Sequence, residues 1–309
     1  MRNGLRLVVL FASLASVIQA QPHRINKAIE LLAQGEPVYY TASRGGYAEG
    51  KELAHTWADY VNYELEHGAF DMTRLREFMR GLVDGGPTAS GHRTPAVIVS
   101  LPVLGLDGAS MRANSWVVQQ VLASGVHGVL LCHARSEDAV RLFVAASRYP
   151  FHKQKVGDGL EEGLRGSGSQ DFAAGIWGIP PEQYLRVADA WPLNPEGELL
   201  LGVKIEDRHA LENAEATTKI PGLAFAEWGP GDMGFSYGFT HRDPGPYPDV
   251  MLKSRARVLA ATKAAGLFFL NAVTEEDVVS MIDEGVRIGS ANREAAEKGR
   301  RYTKRKMPW

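Results

Sequence analysis

The sequence predicts an α/β protein of one domain, a (β/α)8 TIM barrel. Eight short, β-prone apolar runs follow one another along the chain, and amphipathic helix-like segments lie between them. No Gly/Ser/Pro-rich linker and no shift in composition divides the 309 residues. Near-continuous apolar runs are typical of parallel strands that are buried on both faces. Eight strand–helix units in a chain of this length favour a closed barrel over an open, doubly wound sheet.

Local signals place the predicted elements. The strands are Pro37–Thr41, Tyr60–Tyr63, Ala96–Leu101, Gly128–Cys132, Leu199–Ile205, Leu223–Trp228, Leu267–Leu270 and Val286–Ile288. Capping residues predict three helices: Met72–Leu82 after Asp71, a helix from Ser136 to about Arg148, and one opened by Thr274–Asp277 and ended by Gly285. In the long connection 150–198, Gln183–Ala190 is predicted to add helix. No G-x-G-x-x-G follows the first strand, which disfavours a dinucleotide-binding fold.

The first 20 residues have the layout of a secretory signal peptide. Met1–Arg6 carries two arginines, Leu7–Ile18 is nearly all apolar, and the segment ends at the small residue Ala20. The apolar run is short for a membrane span, so we expect cleavage near Ala20 and export of the barrel, residues 21–309. The alternative is a buried N-terminal helix or strand in a cytoplasmic protein.

The charge balance argues against a nucleic-acid or membrane partner. Lys+Arg total 34 and Asp+Glu total 36, so no broad basic field exists and a small-molecule partner is expected.

Cys132 is the only cysteine; no intrachain disulfide can form, and its apolar neighbours predict a buried, inert thiol. One basic run closes the chain and is interpreted as a solvated helix end rather than a phosphate or nucleic-acid patch: Lys298, Arg300, Arg301, Lys304, Arg305 and Lys306.

Polar residues follow most of the predicted strands. In barrel enzymes the chemistry lies where strands end, so these side chains are the candidates for a site. They are Glu64, Glu66 and His67 after strand two, His133 after strand four, Glu206 and Asp207 after strand five, Asp232 after strand six, Asn271 after strand seven and Ser290 after strand eight. We therefore expect acidic groups and histidines to gather at one mouth.

Glu206 and Asp232 are the candidate metal ligands. They end or follow adjacent strands, and two unpaired carboxylates so close would repel unless a divalent cation lies between them. All-oxygen ligation favours Mg²⁺ or Mn²⁺ over Zn²⁺. The alternative is that Glu206 pairs with Lys204 or Arg208 and that Asp232 caps a turn.

Glu64 and His67 form a candidate catalytic pair. A carboxylate can orient an imidazole, and an imidazole held in this way can act as a general base. An ordinary hydrogen-bonded surface pair is the alternative.

Three segments together resemble the metal-binding core of the HpcH/HpaI (citrate lyase-like) family of class II 2-oxo-acid aldolases. They read Val203-Lys204-Ile205-Glu206-Asp207-Arg208-His209-Ala210-Leu211-Glu212-Asn213, Ile220-Pro221-Gly222 and Gly229-Pro230-Gly231-Asp232-Met233. Further similar segments are Asp59–His67, Arg148–Pro150, Gly163–Gly166 and Gly266–Ser290, so the resemblance runs from about Asn26 to Lys298.

The resemblance implies a carbon–carbon lyase with a (β/α)8 barrel that assembles as a homo-oligomer, a trimer or hexamer. Glu206 and Asp232 would hold Mg²⁺ or Mn²⁺, which would bind a 2-oxo acid such as pyruvate and stabilise its enolate for reaction with an aldehyde. His67, oriented by Glu64, would transfer the proton, and Glu66 would hold a water near the metal. Substrate contacts are expected from the turn of Gly229, Pro230 and Gly231 and from His133 and Arg165.

The chain departs from the family pattern at two positions. Glu64 stands where the family usually has aspartate. The family also carries an arginine at the end of strand three, where this chain reads Val99-Ser100-Leu101-Pro102. Arg112 or Arg165 is the predicted replacement. The competing interpretations are a secreted metal-barrel binding protein without turnover and a metal-assisted decarboxylase or hydrolase.

We expect protein isolated from its native host to begin near Gln21, because the basic start, the apolar run and Ala20 together form a processing signal. Mass spectrometry of the intact protein checks this. Retention of Met1–Ala20 on most molecules would contradict export.

Overall fold

A parallel barrel forms the centre of the computed structural model, which describes residues 24–240 and 246–308. The predicted signal peptide lies outside these residues. The strands of the described residues are β1 Val38–Ser43, β2 Tyr60–Glu64, β3 Ala96–Leu104, β4 Gly128–Cys132, β5 Ala190–Trp191, β6 Leu199–Ile205, β7 Phe225–Trp228, β8 Phe268–Ala272 and β9 Val286–Ser290. The eight predicted strands correspond to all of these except the two-residue β5, with ends that differ by three residues or fewer.

Closure of the barrel is achieved by two pairings between strands that are not consecutive along the chain. β9 pairs with β1, and β4 pairs with β6 over four register pairs. All pairings are parallel, and the short β5 adds to β6 outside the closed ring. The predicted (β/α)8 barrel is therefore confirmed.

Helices cover the outside of the barrel. They are α1 Lys27–Ala33, α2 Tyr47–Leu53, α3 Met72–Gly85, α4 Gly108–Leu122, α5 Glu137–Ser147, α6 Gln170–Trp177, α7 Pro181–Val187, α8 Arg208–Glu212, α9 Ala214–Thr217, α10 Pro230–Ser236, α11 Asp249–Ala264, α12 Val278–Glu284 and α13 Arg293–Thr303. The Asp71 side chain accepts from Arg74 N at the start of α3, and Gly285 ends α12 in the left-handed region. α6 in the long connection was not predicted.

Apolar side chains fill the amino-terminal half of the barrel interior. Each of the eight barrel strands contributes at least one buried member to a single packed cluster, which includes Val38, Tyr60, Ile98, Leu130, Leu200, Phe225, Leu270 and Ile288. Successive side chains on a strand alternate faces, so the residues two and four positions further along point into the same interior nearer the carboxyl end. The polar residues Asn62, Lys204 and Glu227 therefore lie on the carboxyl-terminal side of this apolar cluster.

The interpretation of the C-terminal basic run as a solvated helix end is wrong for Arg300 and Arg305, whereas Arg301, Lys304 and Lys306 are exposed. Arg300 and Arg305 are only 1% and 7% exposed and both pair with the buried Asp59 carboxylate. Arg305 makes two hydrogen bonds to Asp59, of 2.8 and 2.6 Å, and Lys27 Nζ lies 3.4 Å from it. Asp59 also accepts from Tyr39 N, so this carboxylate ties the C-terminal segment to the amino ends of β1 and β2.

Two further expectations concern burial and membranes. The Cys132 thiol is free and buried, as predicted. Within the described ranges, none of the helices combines the length and the apolar character that a bilayer span requires.

Asp59→Asn is expected to lower the free energy of unfolding by about 3–5 kcal/mol, because it leaves buried cations without their carboxylate. Burial alone would raise the pKa of Asp59, but Arg305, Arg300 and Lys27 hold it below its ordinary range. The stabilisation is thus present at neutral pH and lost only in strong acid. Urea denaturation measures the effect.

Asp158→Asn is the matched control, because Asp158 pairs with Lys155 on the surface and its removal should leave stability nearly unchanged. Equal stability of the two variants would show that the Asp59 cluster does not hold the C-terminal segment.

Candidate active site

Four predicted polar residues meet at the carboxyl ends of the barrel strands. One potential ligand atom from each of Glu66, His133, Glu206 and Asp232 lies within 4.8 Å of the others. They come from the loops after β2, β4, β6 and β7, whose ends converge because all barrel strands run in the same direction. The structure therefore brings together four of the polar residues that the sequence predicts at one mouth of the barrel.

Glu206 lies deepest in the site. It follows β6 directly, and its side chain is fully buried. A Cβ at position 229 would lie 2.6 Å from the Glu206 Cβ, so only glycine leaves room for this side chain. Gly229 also precedes α10, where Pro230 and Gly231 begin the helix and Asp232 stands in its first turn. The Gly229–Asp232 turn is thus shaped around Glu206.

Lys204 is a site residue that the sequence analysis considered only as an alternative partner of Glu206. Its Nζ lies 2.8 Å from Glu66 Oε2 and 3.0 Å from Glu206 Oε2. The sequence signal was available, since residues two apart on a strand share a face and Lys204 must point into the barrel with Glu206. Glu206 thus pairs with Lys204, as the predicted alternative has it. It also lies within reach of Asp232, its predicted partner in a metal site.

The carboxylates around Lys204 have shifted pKa values. Burial raises the pKa of Glu206 to about 7 despite the attraction of Lys204, and Glu66 adds repulsion. Burial likewise raises the pKa of Glu227 to about 8. Glu66 behaves differently, because the charge and hydrogen bond of Lys204 outweigh burial and lower its pKa. Burial would lower the pKa of Lys204, but these carboxylates raise it. One ammonium does not offset all the negative charge of the site.

His133 is held by contacts on two sides. Its backbone has a left-handed φ of 48°, and its N–H donates to Glu206 Oε1 at 2.9 Å. Its Nδ1 lies 2.7 Å from Asp207 Oδ2, which also accepts from Arg135. Burial opposes a charged imidazole, yet the hydrogen bond to Asp207 raises the pKa of His133. The Asp207 carboxylate therefore fixes the orientation of this ring.

The predicted pair of Glu64 and His67 does not form through the imidazole. Glu64 Oε1 instead accepts the backbone N–H groups of Glu66 and His67, at 2.7 and 3.2 Å. The His67 Nε2 faces Glu66 Oε2 at 3.5 Å and Asp232 Oδ2 at 3.8 Å, with 41% of the side chain exposed. Glu64 thus shapes the loop that carries His67, and Glu66 and Asp232 face the ring.

Arg165 does not line this site, which corrects the prediction that it contacts substrate. Its side chain is buried, donates to Tyr184 Oη at 2.9 Å and stacks on Tyr149. Tyr149 follows the end of α5, at the amino-terminal end of the barrel, because α5 starts after β4 and runs back down the outside. Arg112 is exposed and pairs with Glu161. Neither arginine takes the place of the one missing after strand three.

The residues present fit a divalent cation. Glu66 Oε1 is buried and has no hydrogen-bond partner among the described residues. The Cys132 thiol near this carboxylate is only a weak donor. A buried carboxylate oxygen without a partner is costly, and a cation removes that cost. Glu66, His133, Glu206 and Asp232 would hold the ion, since oxygen and imidazole nitrogen are both common ligands of divalent metals.

Comparison with known proteins gives aldolases among the relatives of the chain. The chain is 29% identical over 182 residues to the 2-keto-3-deoxy-L-rhamnonate aldolase of Klebsiella pneumoniae, covering 58% of this chain and 61% of that protein. It is 30% identical over 151 residues to a hydroxypyruvate/pyruvate aldolase of Cupriavidus necator, covering 48% and 49%. The matches thus span less than two thirds of either relative. No protein-family model matches the chain.

A solved structure shares the fold over most of the chain. An HpcH/HpaI aldolase/citrate lyase family protein from Burkholderia cenocepacia superposes with a TM-score of 0.66 at 21% identity, covering 87% of this chain and 93% of that one. The predicted resemblance to the HpcH/HpaI aldolases is confirmed.

Glu206→Gln and Asp232→Asn are each expected to weaken divalent-metal binding about 10²-fold or more, because loss of an outer-shell partner alone costs 10–100-fold and these residues are candidate direct ligands. Titration calorimetry with Mn²⁺ measures the affinity. Glu212→Gln, which changes an exposed glutamate on α8, is the matched control. Unchanged affinity in both site variants would place the metal elsewhere.

Proposed function

We propose that the protein is a divalent-metal-dependent carbon–carbon lyase, an aldolase that acts on a 2-oxo acid such as pyruvate or a related hydroxy-oxo acid. The observation that carries the proposal is the convergence of Glu66, His133, Glu206 and Asp232 at the carboxyl end of the barrel, where the buried Glu66 Oε1 accepts no hydrogen bond from the described residues. The aldolase names of the curated relatives support the same reaction class. Assembly as a trimer or hexamer and export of the chain are further proposals.

A divalent ion held in this site would supply Lewis-acid chemistry toward the 2-oxo acid. Lys204 keeps a fixed positive charge against Glu66 and Glu206, which lowers the repulsion between these carboxylates. The turn at Gly229 and Gly231 would lie against the substrate carboxylate, as the resemblance implies.

His67 is the residue we assign to proton transfer. It stands at the exposed edge of the site, within 3.5 Å of Glu66 Oε2 and 3.8 Å of Asp232 Oδ2. An imidazole placed there can take a proton from the substrate methyl carbon and exchange it with solvent.

The experiment is hydrogen–deuterium exchange at the methyl group of pyruvate in D₂O, followed by NMR. This reports carbon–hydrogen cleavage without knowledge of the natural aldehyde. We expect exchange by the Mn²⁺-loaded wild type, loss of exchange after chelation, and a rate lower by about 10²–10⁴-fold in His67→Asn.

His55→Asn, at an exposed histidine beyond the end of α2, is the matched control and should exchange at the wild-type rate. Full exchange in His67→Asn would remove this histidine from the mechanism. Absence of exchange in the metal-loaded wild type would favour the metal-barrel binding protein.

A further inference from the structure

The two side-chain oxygens of Glu66 face different neighbours, and so do those of Glu206: one oxygen of each faces Lys204 and the other faces His133. Lys204 Nζ contacts Oε2 of Glu66 and Oε2 of Glu206. The other oxygens, both Oε1, face His133 Nε2 at distances of 3.9 and 3.7 Å. Because the Glu66 side chain is only 4% exposed and its Oε1 accepts no hydrogen bond from the described residues, this acceptor is aimed at the space in front of His133.

The His133 ring is arranged like a metal-binding imidazole. Its Nδ1 lies 2.7 Å from Asp207 Oδ2, and a carboxylate in this place accepts the Nδ1 proton. That hydrogen bond selects the tautomer whose Nε2 carries the free lone pair. The lone pair then points toward the same space as Glu66 Oε1 and Glu206 Oε1, and Asp232 completes the group.

We infer that His133 Nε2 is a direct ligand of the divalent ion, oriented by Asp207, and that the site prefers first-row transition ions to Mg²⁺. The inference rests on the metal site of the proposed aldolase and adds a nitrogen ligand to the two carboxylates predicted from the sequence. Imidazole suits Zn²⁺, Co²⁺ and Fe²⁺, whereas Mg²⁺ prefers oxygen ligands and retains its waters. A mixed set of one nitrogen and three carboxylates therefore favours the transition ions.

Among the described residues, His67 is a second histidine at this mouth and provides the matched comparison. It is more exposed than His133, and Asp232 lies 3.8 Å from its Nε2. Glu64, its predicted partner, accepts from backbone N–H groups and leaves the ring without that support. The ligand role therefore belongs to His133 and the exposed proton-transfer role to His67.

The test uses the full chain loaded with Mn²⁺ and pulsed electron paramagnetic resonance, in which a coordinated imidazole produces nitrogen modulation. We expect this signal in the wild type and in His67→Asn and its loss in His133→Asn. Asparagine is the suitable replacement because it tolerates the left-handed backbone at this position.

Calorimetry with Co²⁺ and with Mg²⁺ gives a second readout. His133→Asn should weaken Co²⁺ binding by roughly 10²-fold and Mg²⁺ binding by much less. Asp207→Asn should weaken Co²⁺ binding by about 10–100-fold, while an amide oxygen can still accept from His209 N and Ala210 N at the start of α8.

The outcomes separate this inference from the proposed function. Metal binding without nitrogen modulation, or modulation that persists in His133→Asn, overturns the ligand role of His133 and leaves metal-dependent exchange of pyruvate intact. Wild-type protein that binds neither Mn²⁺ nor Co²⁺ overturns both the inference and the metal-dependent aldolase.

Discussion

The pairing of β4 with β6 is the constraint on which the closed barrel and its polar mouth both depend. These strands are separated by residues 133–198, yet they are joined by four register pairs. The first residue after β4, His133, therefore stands beside the first residues after β6, Glu206 and Asp207. The intervening connection is held at the other end of the barrel by the buried pair of Arg148 and Asp189, whose Nε and Oδ1 atoms are 2.6 Å apart.

The polar mouth in turn depends on how its negative charge is balanced. Buried carboxylates are costly in a medium of low polarity, and the raised pKa values of Glu206 and Glu227 reflect that cost. Lys204 offsets part of it from inside the barrel. The remaining negative charge of the carboxylates lies on the open side of the site. A divalent cation that binds there would relieve the repulsion between the carboxylates by accepting them as ligands.

The strands were predictable because near-continuous apolar runs are typical of parallel strands that are buried on both faces. The convergence of Glu66, His133, Glu206 and Asp232 followed from the direction of parallel strands, without knowledge of side-chain conformations. Spacing alone could not show which atoms would touch. Glu64 lies close to His67 in the chain, but its carboxylate satisfies backbone N–H groups of its own loop.

The sequence also could not show contacts made across long separations in the chain. Arg305 stands in a basic run of the sequence, and no local pattern indicates its partner Asp59, which lies 246 residues away. Arg165 sits in an irregular connection whose path no periodic pattern defines, and only the structure shows that it packs on Tyr149 at the amino end of the barrel. The local sequence pattern determines the helices and strands, whereas these long-range side-chain contacts depend on the closed fold.

The two departures from the family pattern lie side by side, because Glu64 and Ser100 are register partners on β2 and β3. Where the resemblance implies an arginine at the end of the third strand, Ser100 donates to Asn62 at 3.1 Å. A cation of the site is Lys204 on β6. An ammonium is a compact charge that can contact several oxygens at once, and here it contacts one oxygen of Glu66 and one of Glu206. Because those oxygens are held, the remaining one on each glutamate is turned toward His133. Lys204 therefore orients the carboxylates as well as neutralising them, and the ligand geometry of the site depends on it.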